Sequence, residues 1–475
     1  MGVKDLWSIL SPVCEKKSLW ELEGQTIAID LSAWICDSQC LNKQHQVNMY
    51  LRNLFFRTSY LLLLGVKPVF VLEGKAPDLK ANTIKIRLNK NINSEKDNQS
   101  IKGINRPRLK SLQKQCAELL SYMGVTSITA PGEAEAFCAH LNKQGLVHGV
   151  VTQDSDAFLY GAREVYRNFQ MAPNYTCDAY CMDKIEEKLA LTRTKLIGFS
   201  ILCGSDYNNG VKNVGKETAL KFLTNVPDEL LYQRFLQWKH DVIYFSPNNQ
   251  ALLSKEMEVE MAIREKALQD ENFPHFDVIA EFSSEPDPLK LEHRWDKPHL
   301  TKFLLFAKKK LMWDEEYSVK KMAPLLGRWH LENEGANCNI KIVSIGTAHG
   351  KNSHYKVTWD LFEVVTTERK ELVQKMYPEL VAEYEELRTT KVKGKTSKPQ
   401  KHGRNKNCEI LKEKVPSKST LLNYLMPDRS SIDRAPTDSN LTLPNENYLN
   451  LSGIIEDIVT RPNSNPAISR LSKLI

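Results

Sequence analysis

Over the first 210 residues, short continuous apolar runs alternate with longer amphipathic stretches. TIAID (26–30), KPVFVLE (67–73), TSITA (126–130), HGVVTQ (148–153) and EVYRNF (164–169) have strand length. LWSILSPV, YLRNLFFRTSYLLLLG, QCAELLSYMG and GEAEAFCAHLNKQG carry helical periodicity. Unbroken apolar strands separated by helices predict an α/β fold, a mostly parallel sheet flanked by helices and covered on both faces. Between 80 and 114 the apolar content falls, and Lys, Arg and Asn dominate. That stretch predicts helical ends around a flexible middle, a basic arch inserted between two halves of the sheet.

A helical region follows at 183–240, with the turn-rich segment GSDYNNGVKNVGKETALKFL, and 255–326 is again mostly helical. Near 329 the character changes. CNIKIVSIG, HYKVTWD and KMYPELVAEYEEL predict two short strands and a helix in a small independent module. Beyond 388 the chain is basic, then rich in Ser, Asn, Asp and Pro, which predicts no packed structure. The expected division is therefore a core at 1–328, a module at 329–388 and a tail at 389–475. Within the core fall an N-terminal part at 1–80, the arch at 80–114, an internal part at 115–240 and a helical wrap at 241–328.

Seven acids sit where these apolar runs end or helices begin: Asp30, Glu73, Glu133, Glu135, Asp154, Asp156 and Asp206. In an open α/β sheet, chemistry gathers at the carboxyl ends of the strands. One acidic pair alone is most often a cap or a solvated edge. Seven at element junctions of one region, with no His or Cys among them, call for hard, oxygen-preferring cations, Mg²⁺ or Mn²⁺. Two such ions are the device for in-line attack on a phosphodiester. Lys80 and Arg87, two helical turns apart, share a face of any helix there and can reach a phosphate from the arch. GVKNVGKETALKF places glycine and a helix start where backbone amides and Lys216 can meet phosphate.

The net charge of +7, despite this acidic set, leaves basic residues elsewhere and suits a phosphate-backbone partner. Ten cysteines without a CxxC pair predict reduced thiols rather than a zinc site. No apolar run reaches the length of a membrane span, and MGVKDLWSIL lacks the order of a signal peptide. The expectation is a soluble intracellular protein with no membrane partner. Tyr355 and Trp359 in the small module are read as core before they are read as a cation cage. KSTLLNYL (418–425) has Lys418 where a sliding-clamp peptide has Gln, so no clamp is expected as partner.

MGVKDLW, AIDLSAW, VFVLEGKAP, APGEAEAFCA, TQDSDAFLYGA and GSDY with the following VGK resemble the flap endonuclease and xeroderma-pigmentosum-group-G nuclease family over residues 1–325. Glu73, GAREVYRNF and the trailing module, which resembles a chromodomain, are similar to the GEN-type Holliday-junction resolvases within it. The resemblance implies a PIN-like nuclease core and a site for two Mg²⁺, with Mn²⁺ able to substitute, built from the same seven acids. It implies that Gly2 lies beside that site, and that Lys80 and Arg87 steer the scissile phosphate. It also implies a helix–two-turn–helix within 206–225 that grips duplex DNA through Val211, Asn213, Val214, Gly215 and Lys216. A K⁺ often sits at that turn, though Asn213 replaces the usual first glycine here.

The expected function is a structure-selective endonuclease acting on branched double-stranded DNA (Holliday junctions, 5′ flaps and replication forks) in repair and recombination. The chain is expected to be a monomer when free and a dimer on a four-way junction. Nuclear residence, with shuttling to the cytoplasm, follows from such a substrate. The alternatives are a flap endonuclease or 5′→3′ exonuclease without resolvase activity, and a junction-binding scaffold without catalysis.

Overall fold

The computed structural model describes residues 2–40, 48–80, 106–171, 174–240, 255–333, 338–348 and 351–393. The middle of the expected arch, with Arg87, and the tail beyond 393, with the 418–425 peptide, lie outside the described residues.

Seven strands form one mixed sheet: β1 Glu15–Ser18, β2 Thr26–Asp30, β3 Lys67–Leu72, β4 Ser127–Thr129, β5 Gly149–Val151, β6 Glu164–Gln170 and β7 Thr176–Cys181, in the order β1-β7-β6-β5-β2-β3-β4. β2 pairs in parallel with β3 and β5, as β3 does with β4 and β5 with β6. The other two pairings, β6 with β7 and β7 with β1, are antiparallel. The five apolar runs are the five parallel strands. Ile27, Ala28 and Ile29 in β2, and Val69, Phe70 and Val71 in β3, are fully buried. Coverage on both faces explains why these strands read as unbroken hydrophobic runs.

Two strands escape the sequence pattern. EKKS of β1 has no apolar residue, because it forms the sheet's edge, where charges block further pairing. TCDAYC of β7 is nearly all buried, but Asp178 interrupts the run.

The chain lays β2, β3 and β4 in one direction, then returns to place β5 on the other side of β2. That reversal opens a crevice at the carboxyl ends of β2 and β5, the usual ligand position in open α/β sheets.

The small module is a three-stranded antiparallel sheet, β10-β9-β8, of β8 Ile340–Ala348, β9 Lys351–Trp359 and β10 Val365–Arg369. The third strand, VTTER, was not anticipated; its short alternation lacks large apolar residues. The expected single helix is two, Lys370–Met376 and Pro378–Lys393. Pro378 disfavours helical geometry at Tyr377, which adopts φ −131° and ψ 59°.

Tyr355 and Trp359 are fully buried, and Trp359 Nε1 donates to Thr366 Oγ1 at 2.7 Å. They are core residues, and Lys370 Nζ lies 6.0 Å from the centroid of the Tyr355 ring. The expected boundary at 328 falls inside helix Glu315–Asn333. On that helix, a Cβ at Gly327 would come within 2.9 Å of the Trp359 ring, so the missing side chain lets the module seat there. The described residues up to Pro378 form one compact unit, and the described residues Glu379–Lys393, the rest of helix Pro378–Lys393, belong to a second. Among the described residues, no helix is long and apolar enough to cross a membrane.

Candidate active site

The strand ends deliver the acids to the crevice, and local hydrogen bonds fix several of them. Asp30 closes β2, and its Oδ1 accepts from the amides of Ser32 at 2.9 Å and Ala33 at 3.4 Å, at the start of helix Leu31–Cys40. Its Oδ2 accepts from Thr152 Oγ1 at 3.1 Å. Glu73, just after β3, accepts from the Ala134 amide at 3.1 Å, at the start of helix Ala134–Lys143. Both carboxylates therefore face helix N-termini, where amide dipoles favour negative charge. Glu133 is the residue before that second helix, and Glu135 lies in its first turn. After β5, Thr152 Oγ1 accepts from the Asp154 amide, and Asp154 Oδ1 from the Asp156 amide, each at 3.1 Å. Thr152 thus ties the Asp30 carboxylate to the Asp154 backbone, a role no single-residue motif signalled.

Six of the seven acids are buried, and Glu73 is half-buried. Burial, then the charge of Glu73, pushes the Asp30 carboxyl up to about 7. Burial first and neighbouring carboxylates next push Glu135 and Asp156 well above the usual range. Glu73 and Asp154 are raised chiefly by burial. Asp156 Oδ1 is buried with no hydrogen-bond partner.

Among the described residues, the Lys80 ammonium sits against three of the acids. Lys80 Nζ lies 2.5 Å from Glu133 Oε1, 3.3 Å from Asp206 Oδ2 and 3.6 Å from Glu135 Oε1. Burial alone would lower its pKa, but Glu135, Glu133 and Asp206 outweigh that and hold it above the ordinary lysine value. Among the described residues, no three His, Cys, Asp or Glu side chains form the ligand shell of a single ion as they lie. The ammonium is shared by Glu133, Glu135 and Asp206. The donor set is nonetheless that of a hard-cation site: carboxylate oxygens, buried together, one of them unpartnered.

The N-terminal segment enters the same crevice. The Val3 amide donates to Ser155 Oγ and Trp7 Nε1 to the Gln153 carbonyl, both at 3.1 Å. Gly2 has φ +84°, and a Cβ there would fall inside the van der Waals shells of Asp154, Asp156 and Ser155, the last at 2.7 Å.

Residues 1–94 match the XPG N-terminal domain and residues 124–206 the XPG I-region. Flap endonuclease GEN homolog 1 of Homo sapiens is 34% identical over 474 residues, covering 84% of this chain and 52% of that protein. This chain belongs to the flap endonuclease GEN family. It spans about half the length of the human relative. The crystal structure of human GEN1 in complex with Holliday junction DNA is similar at TM-score 0.67 and 35% identity, covering 83% of this chain and all of that one. A GEN1 structure with product DNA and Mg²⁺, 18% identical, shares the fold at TM-score 0.54, covering 81% of this chain and 99% of that one.

In this GEN-family chain the loop after helix Arg193–Cys203 carries Asp206 to the carboxylates. Ser205 Oγ donates to Asn208 Oδ1 at 2.8 Å and accepts from the Tyr207 amide at 3.2 Å, while Asn208 Nδ2 donates to the Ile201 carbonyl at 3.1 Å. Tyr207, which sequence reasoning passed over inside GSDY, donates to Glu133 Oε2 at 2.5 Å.

The turn beyond is built from backbone: Val211 N donates to Leu202 O at 2.8 Å and Val214 N to Val211 O at 3.1 Å. Asn213 adopts φ +62°, so the left-handed turn forms with asparagine in place of glycine. The Val214 side chain is buried and supports the turn from inside. Gly215 caps helix Lys216–Asn225 and has open space where a Cβ would be, leaving its amide approachable. Lys216 Nζ donates to Ser8 Oγ at 3.0 Å. The turn therefore adjoins the same N-terminal segment that enters the crevice.

Proposed function

We propose that this chain is a metal-dependent, structure-selective endonuclease that cuts branched double-stranded DNA near the junction and resolves Holliday junctions. The observation that carries the reading is the gathering of the seven acids at the sheet's switch point, six of them buried, with the buried Lys80 ammonium against Glu133, Glu135 and Asp206. Nothing in folding requires so much like charge in one crevice, and burying it is costly unless cations answer it. Asp30, Glu73, Glu133, Glu135, Asp154, Asp156 and Asp206 would hold two Mg²⁺, or Mn²⁺. Ions there would lower the pKa of an attacking water and offset charge on the phosphate oxygens in the transition state.

The protein's own groups do the rest. Lys80, released from Glu133, and Arg87 draw the scissile phosphate toward the carboxylates. Gly2 keeps the approach free of a side chain. The Gly215 amide, the start of helix Lys216–Asn225 and Lys216 hold the duplex backbone without reading sequence. The Asn213 turn is the place for a K⁺. The chain acts in the nucleus, free as a monomer and paired on a four-way junction, so that two symmetric nicks resolve it.

The test is cleavage of a 5′ flap, a replication fork and an immobile Holliday junction side by side, with Mg²⁺, with EDTA and with Asp30→Ala. Paired nicks on the junction that vanish in EDTA and in the variant are expected. Flap cutting without junction cutting overturns the resolvase reading. Binding without any cutting leaves a scaffold.

A further inference from the structure

The hydroxyl of Tyr207 lies 2.5 Å from Glu133 Oε2, on the opposite carboxylate oxygen from Lys80. An ionised carboxylate only accepts, so Tyr207 donates, and its oxygen is left to accept. Tyr160 Oη lies 2.7 Å from that oxygen and 3.2 Å from Glu281 Oε1. The Tyr160 hydroxyl thus stands between two acceptors, the Tyr207 oxygen and Glu281 Oε1, and links them. The ring of Phe282 holds both tyrosines edge-on, at centroid distances of 5.1 Å each. Lys80 Nζ lies 5.7 Å from the centroid of the Tyr207 ring, so one side chain contacts both members of the Glu133–Lys80 pair.

From this we propose that Tyr207 is a positioning residue for the cation site, fixing the Glu133 carboxylate through its hydroxyl and itself fixed by Tyr160. The inference rests on the reading of the seven acids as a metal site. Its logic is one of timing. When Lys80 leaves Glu133 for a phosphate, one carboxylate oxygen loses its partner, and Tyr207 keeps the group from swinging. A ligand held in one orientation binds its cation without ordering cost, and partners behind a ligand typically contribute about 10–100-fold in metal affinity. Tyr160 and helix Phe276–Ser283 extend that restraint beyond the strand ends that supply the acids.

The experiment is a direct Mn²⁺ titration of the full chain, following free Mn²⁺ by electron paramagnetic resonance, with Asp30→Ala as the site control. Tyr207→Phe, which keeps the ring, should shift the binding midpoint about tenfold upward. Its near-ultraviolet circular dichroism and its affinity for a four-way junction should match wild type. Tyr160→Phe should weaken binding less, and Tyr160→Phe/Tyr207→Phe no more than Tyr207→Phe alone, because the two act in one chain of hydrogen bonds. A wild-type midpoint in Tyr207→Phe, while Asp30→Ala loses Mn²⁺, overturns the positioning role and spares the metal site. Equal weakening by both single variants with an additive double overturns the chain. Failure of wild type to bind Mn²⁺ overturns both readings.

Discussion

Lys80 Nζ and Glu133 Oε1, 53 residues apart in sequence, meet at 2.5 Å inside the crevice. The lysine comes from the short 3₁₀ turn Asp78–Lys80, at the foot of the segment that leads out of the sheet. One side chain thus neutralises part of the acidic cluster and marks where the proposed arch begins. Lys80→Met should leave Glu133, Glu135 and Asp206 without their shared cation. Removing one partner of a buried ion pair costs about 3–5 kcal/mol, so the variant should melt well below wild type in EDTA. Mn²⁺ should recover more stability in the variant than in wild type, since it no longer displaces an ammonium. Equal gains would mean that the ammonium and the ion do not share a place. Cleavage should fall while junction binding persists.

Gly2 gives a steric test. Gly2→Ala adds a Cβ against Asp154, Asp156 and Ser155 on a backbone already at φ +84°. The N-terminal segment must shift, and a displacement of about 1 Å near reacting groups can cost about 10²-fold in rate. Single-turnover cleavage should drop to that extent while the melting temperature changes little. A fully active variant would remove Gly2 from the site.

The raised carboxyls make the metal-free protein sensitive to pH in a defined direction. Burial, then the charge of Glu73, pushes the Asp30 carboxyl up to about 7 from 3.8, and Glu135 and Asp156 are pushed the same way. A pKa raised by folding means that the fold favours the protonated form. Its contribution is complete below about 4 and is lost as pH rises through about 7. In EDTA the protein should therefore melt lower at pH 8 than at pH 5.5. Mg²⁺, which favours the ionised acids, should raise the melting temperature more at pH 8. Asp30→Asn should flatten the pH dependence, and a melting temperature that rises from pH 5.5 to 8 in EDTA would contradict the cluster's electrostatics.

Asn213 shows how a departure from a motif can be tolerated. Its φ of +62° is open to asparagine and glycine but strained for a β-branched residue. Asn213→Gly should leave urea stability and duplex affinity near wild type. Asn213→Val should lose about 1–2 kcal/mol and weaken duplex binding. Equal behaviour of the two variants would show that the turn is not held in this geometry.

Trp359 separates core from cage in the small module. Fully buried and bonded to Thr366, it should cost about 3–5 kcal/mol when replaced by Ala, read as a lower urea midpoint. A peptide carrying trimethyl-lysine should bind neither wild type nor Trp359→Phe. Saturable binding of that peptide by wild type would restore the cage.

How much of this was written along the chain depends on range. The five parallel strands were legible because burial on both faces leaves no polar position to break the run, as in Ile27–Ile29 and Val69–Val71. The seven acids were legible because they stand where those runs stop. β1 was not, since EKKS earns its place by pairing Lys16 and Lys17 with Asp178 and Cys177, and edge pairing leaves no hydrophobic trace. VTTER was missed for a related reason: Thr366 and Glu368 are buried by partners elsewhere in the chain.

By itself, the sequence determined the α/β alternation, the acidic residues at the strand ends and the hard-cation chemistry they imply, because these follow from local pattern and side-chain type. Only the tertiary structure decided which groups meet. The sheet's reversal brings β2 and β5 side by side, Lys80 into the acids, Gly2 against Asp154, and Tyr207 onto Glu133 with Tyr160 behind it. Those contacts join residues tens to more than a hundred positions apart, and no local preference encodes them. They arise because close packing of the whole chain leaves one arrangement of its elements.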